Sequence, residues 1–223
     1  MTNHLTLENQ IKMKKRSLIV LGISMACILS TAGLAQNKLR MELGYNMSVP
    51  TGAFKTNEVN KTSFRGAYGE ISYPVNNRFS VGLMAGYQTY QQKFDRQIYT
   101  TQDHQTISAV KTNAIDVMPL MLRGTFFPLG GNKEKLIQPY LSAGAGVNFV
   151  SYQQYLGEFG GSETAFPLAV QAGAGVIIPI GGMVSQTGLK LGVTYNYSGY
   201  SKNNMDTKLG NIGIHAGFVF PIK

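Results

Sequence analysis

The sequence predicts an all-β protein, an eight-stranded antiparallel up-and-down transmembrane β-barrel. Three observations carry the expectation. Apolar and polar residues alternate with a period of two along eight segments. An export signal precedes them. Prolines gather at the segment borders, and the connections between segments differ in length and character.

The N-terminus reads as a targeting segment. Lys12, Lys14, Lys15 and Arg16 form a positive stretch, and an apolar run follows from Leu18 to Ser30. Its length of about 13 residues falls within the ~7–15 of a secretory signal and short of the ~20 that a spanning helix needs. Gly33-Leu34-Ala35 supplies the small residues of a cleavage site, which places the cut after Ala35. The expected organisation is a signal peptide with an N-terminal extension over 1–35, starting naturally at Met13, and a barrel domain over 36–223. The competing reading is an uncleaved anchor. Cys27 is the single cysteine, and Ser24-Met25-Ala26 before it lacks the leucine of a lipidation site. The exported chain then holds no disulfide, so its stability must come from elsewhere.

Composition narrows the class further. Charged residues make up 14%, with 26 Gly, 12 Tyr, 11 Phe and no Trp. Such a chain is neither disordered nor coiled-coil. Residues 36–223 carry 16 Lys and Arg against 10 Asp and Glu, a net of +6. These bases are scattered without interleaved aromatics, which argues against nucleic acid as a partner.

The first segment, 38–49, sets Leu39, Met41, Leu43, Tyr45, Met47 and Val49 against Lys38, Arg40, Glu42, Gly44, Asn46 and Ser48. A strand turns successive side chains to opposite faces, so one face is apolar and one is wet. The second, 64–74, opposes Ala67, Ile71 and Tyr73 to Tyr68, Glu70 and Ser72. The third, 79–94, opposes Phe79, Val81, Leu83 and Tyr87 to Ser80, Gly82, Gly86 and Gln88. In the fourth, 112–127, Met118, Leu120, Leu122 and Phe126 are expected outward, with Arg123 and Thr125 inward. The opposite phase would set Arg123 in lipid at roughly 2–4 kcal/mol near the midplane.

The fifth segment, 139–152, opposes Leu141, Val147 and Phe149 to Tyr140, Ser142 and Asn148. The sixth, 165–178, opposes Phe166, Leu168, Val170, Val176 and Ile178 to Ala169, Gln171, Gly173 and Gly175. The seventh, 188–199, opposes Leu189, Leu191, Val193, Tyr195 and Tyr197 to Lys190, Thr194, Asn196 and Ser198. The eighth, 209–220, opposes Ile212, Ile214, Phe218 and Phe220 to Gly213, His215 and Gly217. Each is long enough to cross the hydrocarbon layer.

Pro50, Pro74, Pro128, Pro139, Pro167, Pro179 and Pro221 fall at or near strand ends. Pro119 does not, and inside a closed barrel it demands a bulge or a locally broken ladder. With the N-terminus in the periplasm, the inner turns are 75–78, 129–138 and 179–187, and the outer loops 50–63, 95–111, 153–164 and 200–208. Tyr45, Tyr73, Tyr87, Tyr90, Tyr152, Tyr195, Tyr197 and Tyr200 are expected in the interfacial girdles. A soluble sandwich or lipocalin-type barrel also alternates, but it points its apolar face inward. Here the polar face is the glycine-rich one and carries the charges, as a cramped wet lumen would.

The inward charges are the candidate site. Arg40, Glu42, Glu70, Arg123 and Lys190 are expected to form one cluster in the periplasmic half of the lumen. Mutual neutralisation would make it a plug; the competing reading is a proton or ion pathway. Tyr68, Gln88, Asn148, Gln171, Asn196 and His215 are the other expected lumen groups. Gly144-Ala145-Gly146 and Gly173-Ala174-Gly175 sit inside strands, so they lack the helix N-terminus of a phosphate loop. His104, with Asp103 and Ser108 near it, is the only hint of a rim catalytic site, and no catalytic role is expected. No metal-ligand spacing appears, and no cofactor is expected.

The signal M-K-K-R-S-L-I-V-L, the eight alternating segments, Q-P-Y-L-S-A-G-A-G-V-N-F and the closing H-A-G-F-V-F together resemble the small outer-membrane β-barrel domain, the porin-like group that includes the outer-membrane protein X and W families. The resemblance covers about 36–223 and implies a Gram-negative outer membrane, with an origin in the Bacteroidetes. It implies lipid and lipopolysaccharide as surroundings, insertion by the outer-membrane assembly machinery, and a monomer. In that family the last strand ends in alternating aromatics. Phe218 and Phe220 fit, whereas Pro221-Ile222-Lys223 departs from the usual final phenylalanine. The expected role is structural or surface-interacting, not enzymatic, with a largely plugged lumen. A narrow channel for small molecules and, more remotely, a lipid-modifying enzyme are the alternatives.

Overall fold

A computed structural model describes residues 39–100, 106–130, 137–156, 159–180, 187–199 and 208–222. The predicted signal, Tyr200, Asp103 and His104 lie outside the described residues.

The strands are β1 (Arg40–Thr51), β2 (Gly66–Pro74), β3 (Phe79–Lys93), β4 (Gln97–Thr100), β5 (Thr106–Ala109), β6 (Lys111–Phe126), β7 (Gln138–Leu156), β8 (Phe159–Ala165), β9 (Leu168–Pro179), β10 (Gly188–Ser198) and β11 (Leu209–Pro221). Among the described residues one short helix, α1, spans Gly52–Asn57. Eight strands close a ring in the order β1-β2-β3-β6-β7-β9-β10-β11, every pair antiparallel, and β1 pairs with β11 to shut it. Closure leaves the ring no unpaired edge. Among the described residues no helix is long and apolar enough to cross a membrane, which says nothing of strands.

The alternation sets the two faces. Leu122, Leu168 and Phe218 on the outside are 62%, 78% and 57% exposed, while Arg123, Gln171 and Gly217 beside them turn inward. An apolar exterior around a polar interior is the reverse of a soluble sandwich. Eight strands leave a narrow interior, so bulky inward groups need small neighbours. A Cβ on Gly217 would stand 2.6 Å from the Tyr68 hydroxyl, and one on Gly82 would stand 2.7 Å from a Glu70 carboxylate oxygen.

Pro119 breaks a ladder without a bulge. The β3–β6 register runs from Phe79↔Phe126 to Ala85↔Leu120 and resumes at Gln88↔Val117 in the same phase. The missing pairs are those of Gly86 and Tyr87, opposite the proline. On its other side, Pro119 stays in register with Asn148 of β7.

Four expectations need correction. Tyr90 and Tyr152 are not girdle residues; both are buried inside the barrel. Each occupies an inward position of its strand, and phase outranks nearness to a strand end. The 153–164 connection is largely strand: β7 runs on to Leu156, and β8 pairs back along it from Val150↔Ala165 to Leu156↔Phe159. Phe166-Pro167 then separates β8 from β9, so the sixth barrel strand starts at Leu168 rather than 165. Within the 95–111 loop, β4 and β5 pair as a hairpin.

Candidate functional site

The lumen holds two sealed zones with a cavity between them. The first zone lies toward the tight Val75–Arg78 turn. Glu42 of β1 and Glu70 of β2 are directly opposed in the ladder. Arg123 of β6 reaches Glu70 at 2.8 Å, and Lys190 of β10 reaches Glu42 at 2.6 Å and Glu70 at 3.9 Å. All four side chains are buried. The Tyr68 hydroxyl donates to the second Glu42 oxygen at 2.5 Å, and Arg123 also donates to the Gln171 carbonyl oxygen. The Lys190 ammonium sits 4.7 Å from the Tyr140 ring centre, and the Tyr140 hydroxyl hydrogen-bonds His215 Nε2 at 2.8 Å. Buried charges are tolerated when paired and hydrogen-bonded, and these are both.

Arg40 does not join this group. It begins β1 at the rim, and no ion pair holds it among the described residues. The remaining four charges expected in one place are brought together there.

The second zone closes the loop end, and sequence reasoning missed it. After β1 the chain turns at Gly52, whose φ of 58° lies in the left-handed region that favours glycine. Helix α1 then drops Phe54 into the barrel mouth, where it is fully buried. Phe54 meets the Tyr90 ring edge-to-face at 5.0 Å and packs in one cluster with Val59, Ile115, Val117, Val150, Tyr152 and Leu209. Polar bonds lace the rest of the segment down. Ser48 and Ser63 exchange two backbone bonds of 2.8 Å, Ser48 Oγ and Tyr90 Oη share one of 2.6 Å, and Gln88 donates to Ser63 Oγ at 2.7 Å.

Glu58 is buried in this cap. Asn113 donates to its carboxylate at 3.3 Å, and Tyr152 hydrogen-bonds it. Burial pushes the Glu58 carboxyl up from its ordinary value, while the Tyr152 bond and the Lys111 charge pull it partly back.

Between the zones lies a cavity of about 60 Å³ to the centres of water-sized spheres. Six carboxamides line it: Asn46, Gln88, Asn148, Gln171, Asn196 and Asn211. Tyr68 and His215, the other two lumen groups expected from the sequence, line it as well. Among the described residues no cluster of His, Cys, Asp and Glu could hold a metal ion. Ser108 lies on β5, where it pairs with Ile98.

The sequence matches the family described as outer membrane protein beta-barrel domain over residues 18–220. A comparison with curated proteins gives no match. Among solved structures, the chain is similar to Ail, the attachment invasion locus protein of Yersinia pestis, in complex with the heparin analogue sucrose octasulfate: 19% identity, 83% of this chain, 100% of that chain, TM-score 0.46. It is also similar to Neisserial surface protein A, with 13% identity, 84% and 98% coverage and a TM-score of 0.47. A third likeness is to the outer membrane protein OprG of Pseudomonas aeruginosa, with 15% identity, 83% and 97% coverage and a TM-score of 0.44. The closed eight-stranded ring, its apolar exterior and the match over residues 18–220 make this chain a member of the outer membrane protein β-barrel domain family.

Proposed function

We propose that the protein is an integral barrel of a Gram-negative outer membrane, structural or surface-interacting through its outer loops, with a lumen that does not conduct. The observation that carries this reading is the crossing of the lumen by buried ion pairs, Arg123–Glu70 and Lys190–Glu42. A second closure at the loop end, centred on Phe54, supports it. A permeating ion would have to part buried charges from their partners.

On this reading residues 1–35 are the export signal, cut after Ala35, and 36–223 are the mature barrel. The N-terminus and short turns face the periplasm, and the loops face outward among lipopolysaccharide. Insertion falls to the outer-membrane assembly machinery, the barrel works as a monomer without cofactor or enzymatic activity, and the sequence motifs favour a Bacteroidetes origin. The test is planar-bilayer conductance of the refolded barrel. Baseline current without discrete steps is expected; stable single-channel steps would overturn the plugged lumen in favour of a narrow channel for small molecules.

A further inference from the structure

The cavity between the two closures has polar demands that the chain leaves unmet. Most of its amides are committed: Asn46 donates to Gln88 at 2.9 Å, Gln171 to Asn196 at 2.6 Å, Asn196 to Asn211 at 2.8 Å, and Asn148 to Ser198 at 3.0 Å. Two lining residues keep a buried polar atom without a partner among the described residues. They are Asn148, through its carbonyl oxygen, and Arg123, through Nε. Asn148 is 6% exposed and Arg123 3%. One free atom accepts and the other donates. Native structures seldom leave such atoms unmade, because the desolvation cost is not recovered.

The chemistry of an occupant follows. The charges bordering the cavity are already paired, so an ion would arrive without a counter-charge and lose its hydration. A neutral molecule can donate to the free Asn148 oxygen or accept from Arg123 Nε, use the carboxamides, and lay its carbon atoms against Met84, Val117 and Met121, which also line the cavity. One water needs about 10–15 Å³ of such space, so the cavity suits a solute of about four to six non-hydrogen atoms. We propose that this cavity is a binding site for a small neutral solute bearing amide or hydroxyl groups.

The route in is asymmetric. Tyr90 and Val117 belong both to the cavity wall and to the Phe54 cluster, so the cap is the cavity's outer boundary. Arg123 belongs both to the wall and to the ion pairs, so the charged zone is its inner boundary. Lifting the cap moves a six-residue helix and its following loop. Opening the inner boundary strips buried charges of their partners. Along the barrel axis, opening through the cap is therefore the less costly route. The site goes beyond the proposed role and does not require conduction, so a conductance result leaves it standing.

Acetamide and glycerol serve as probes on the whole mature barrel refolded in phospholipid nanodiscs. Side-chain amide resonances of Asn148 and Gln171 should shift saturably with either probe. Asn148→Ala should weaken the response roughly tenfold, the loss of one hydrogen bond. Phe54→Ala should speed exchange of the probe. Should Asn148→Ala misfold, a crystal structure of the native barrel grown with acetamide replaces it, with the probe expected against the Asn148 carbonyl oxygen. A linear, unsaturable response, a saturable one untouched by Asn148→Ala, or water alone at that position in the acetamide crystal overturns the proposal.

Discussion

Glu42 and Glu70 face each other across the β1–β2 ladder, and each is held by its own cation. Like charges in directly opposed positions repel. Lys190 spans the pair, at 2.6 Å from Glu42 and 3.9 Å from Glu70, and Arg123 reaches the same Glu70 oxygen at 2.8 Å. The adjacent strands β1 and β2 are thereby tied across the barrel interior to β6 and β10.

Removing one member should cost far more than removing a matched pair. Arg123→Met leaves Glu70 buried beside Glu42 with Lys190 alone to serve both. Loss of one partner of a buried pair costs about 3–5 kcal/mol. Arg123→Met with Glu70→Gln should recover much of it, because the uncompensated carboxylate is gone. Urea unfolding from lipid vesicles, followed by the mobility of unboiled samples on gels, reads both values. Equal destabilisation of the single and the double variant would contradict the pairing.

The cap should detach without unfolding the ring. Phe54→Ala removes a fully buried ring from a cluster. Such truncations cost about 3–5 kcal/mol in a packed core. The loss falls on the docking of 52–63, since the ring is held by its own ladders. Amide exchange should rise at Val59 and Ser63 and stay unchanged at Glu42 and Lys190. A uniform rise would instead make the cap part of the barrel's global stability.

Docking of the cap should weaken as pH rises. The Glu58 carboxyl is raised in the docked state, chiefly by burial, so the docked state holds its proton more tightly than a free loop. Its contribution is fully present below the ordinary carboxylate range and fades as pH climbs through the raised value. Lys111 and Tyr152 face the carboxylate and limit the effect without reversing it. Glu58→Gln should keep the Asn113 contact and flatten the dependence. Exchange rates at Val59 across pH 4–8, corrected for intrinsic chemistry, measure it.

Strand phase was legible because lipid and a cramped lumen impose opposite demands on alternate residues. Glu42, Glu70, Arg123 and Lys190 share the inward phase near one end of their strands, so their meeting follows from topology alone. Arg40 shares the phase, but the first residue of a strand sits at the rim. The cap was hidden because α1 is too short for periodicity, and Phe54 reads as any loop aromatic. A signal existed nonetheless. Tyr90, Ile115, Val117, Val150, Tyr152 and Leu209 are inward residues that turn apolar toward the loop end, and an apolar mouth in a polar lumen calls for an apolar stopper.

Gly217→Ala should loosen the charged zone from a distance. The added methyl would stand 2.6 Å from the Tyr68 hydroxyl and 2.9 Å from the Leu43 carbonyl oxygen. The backbone carbonyl is fixed by the β1–β11 ladder, so Tyr68 must yield. That hydroxyl is the donor to Glu42, whose remaining partner is Lys190. Overpacking costs about 1–3 kcal/mol. Tyr68→Phe removes the same hydrogen bond and relieves part of the crowding, so its effect should not add fully to that of Gly217→Ala. A double-mutant cycle in urea reads the coupling. Strict additivity would mean that the glycine is needed for some other neighbour than Tyr68.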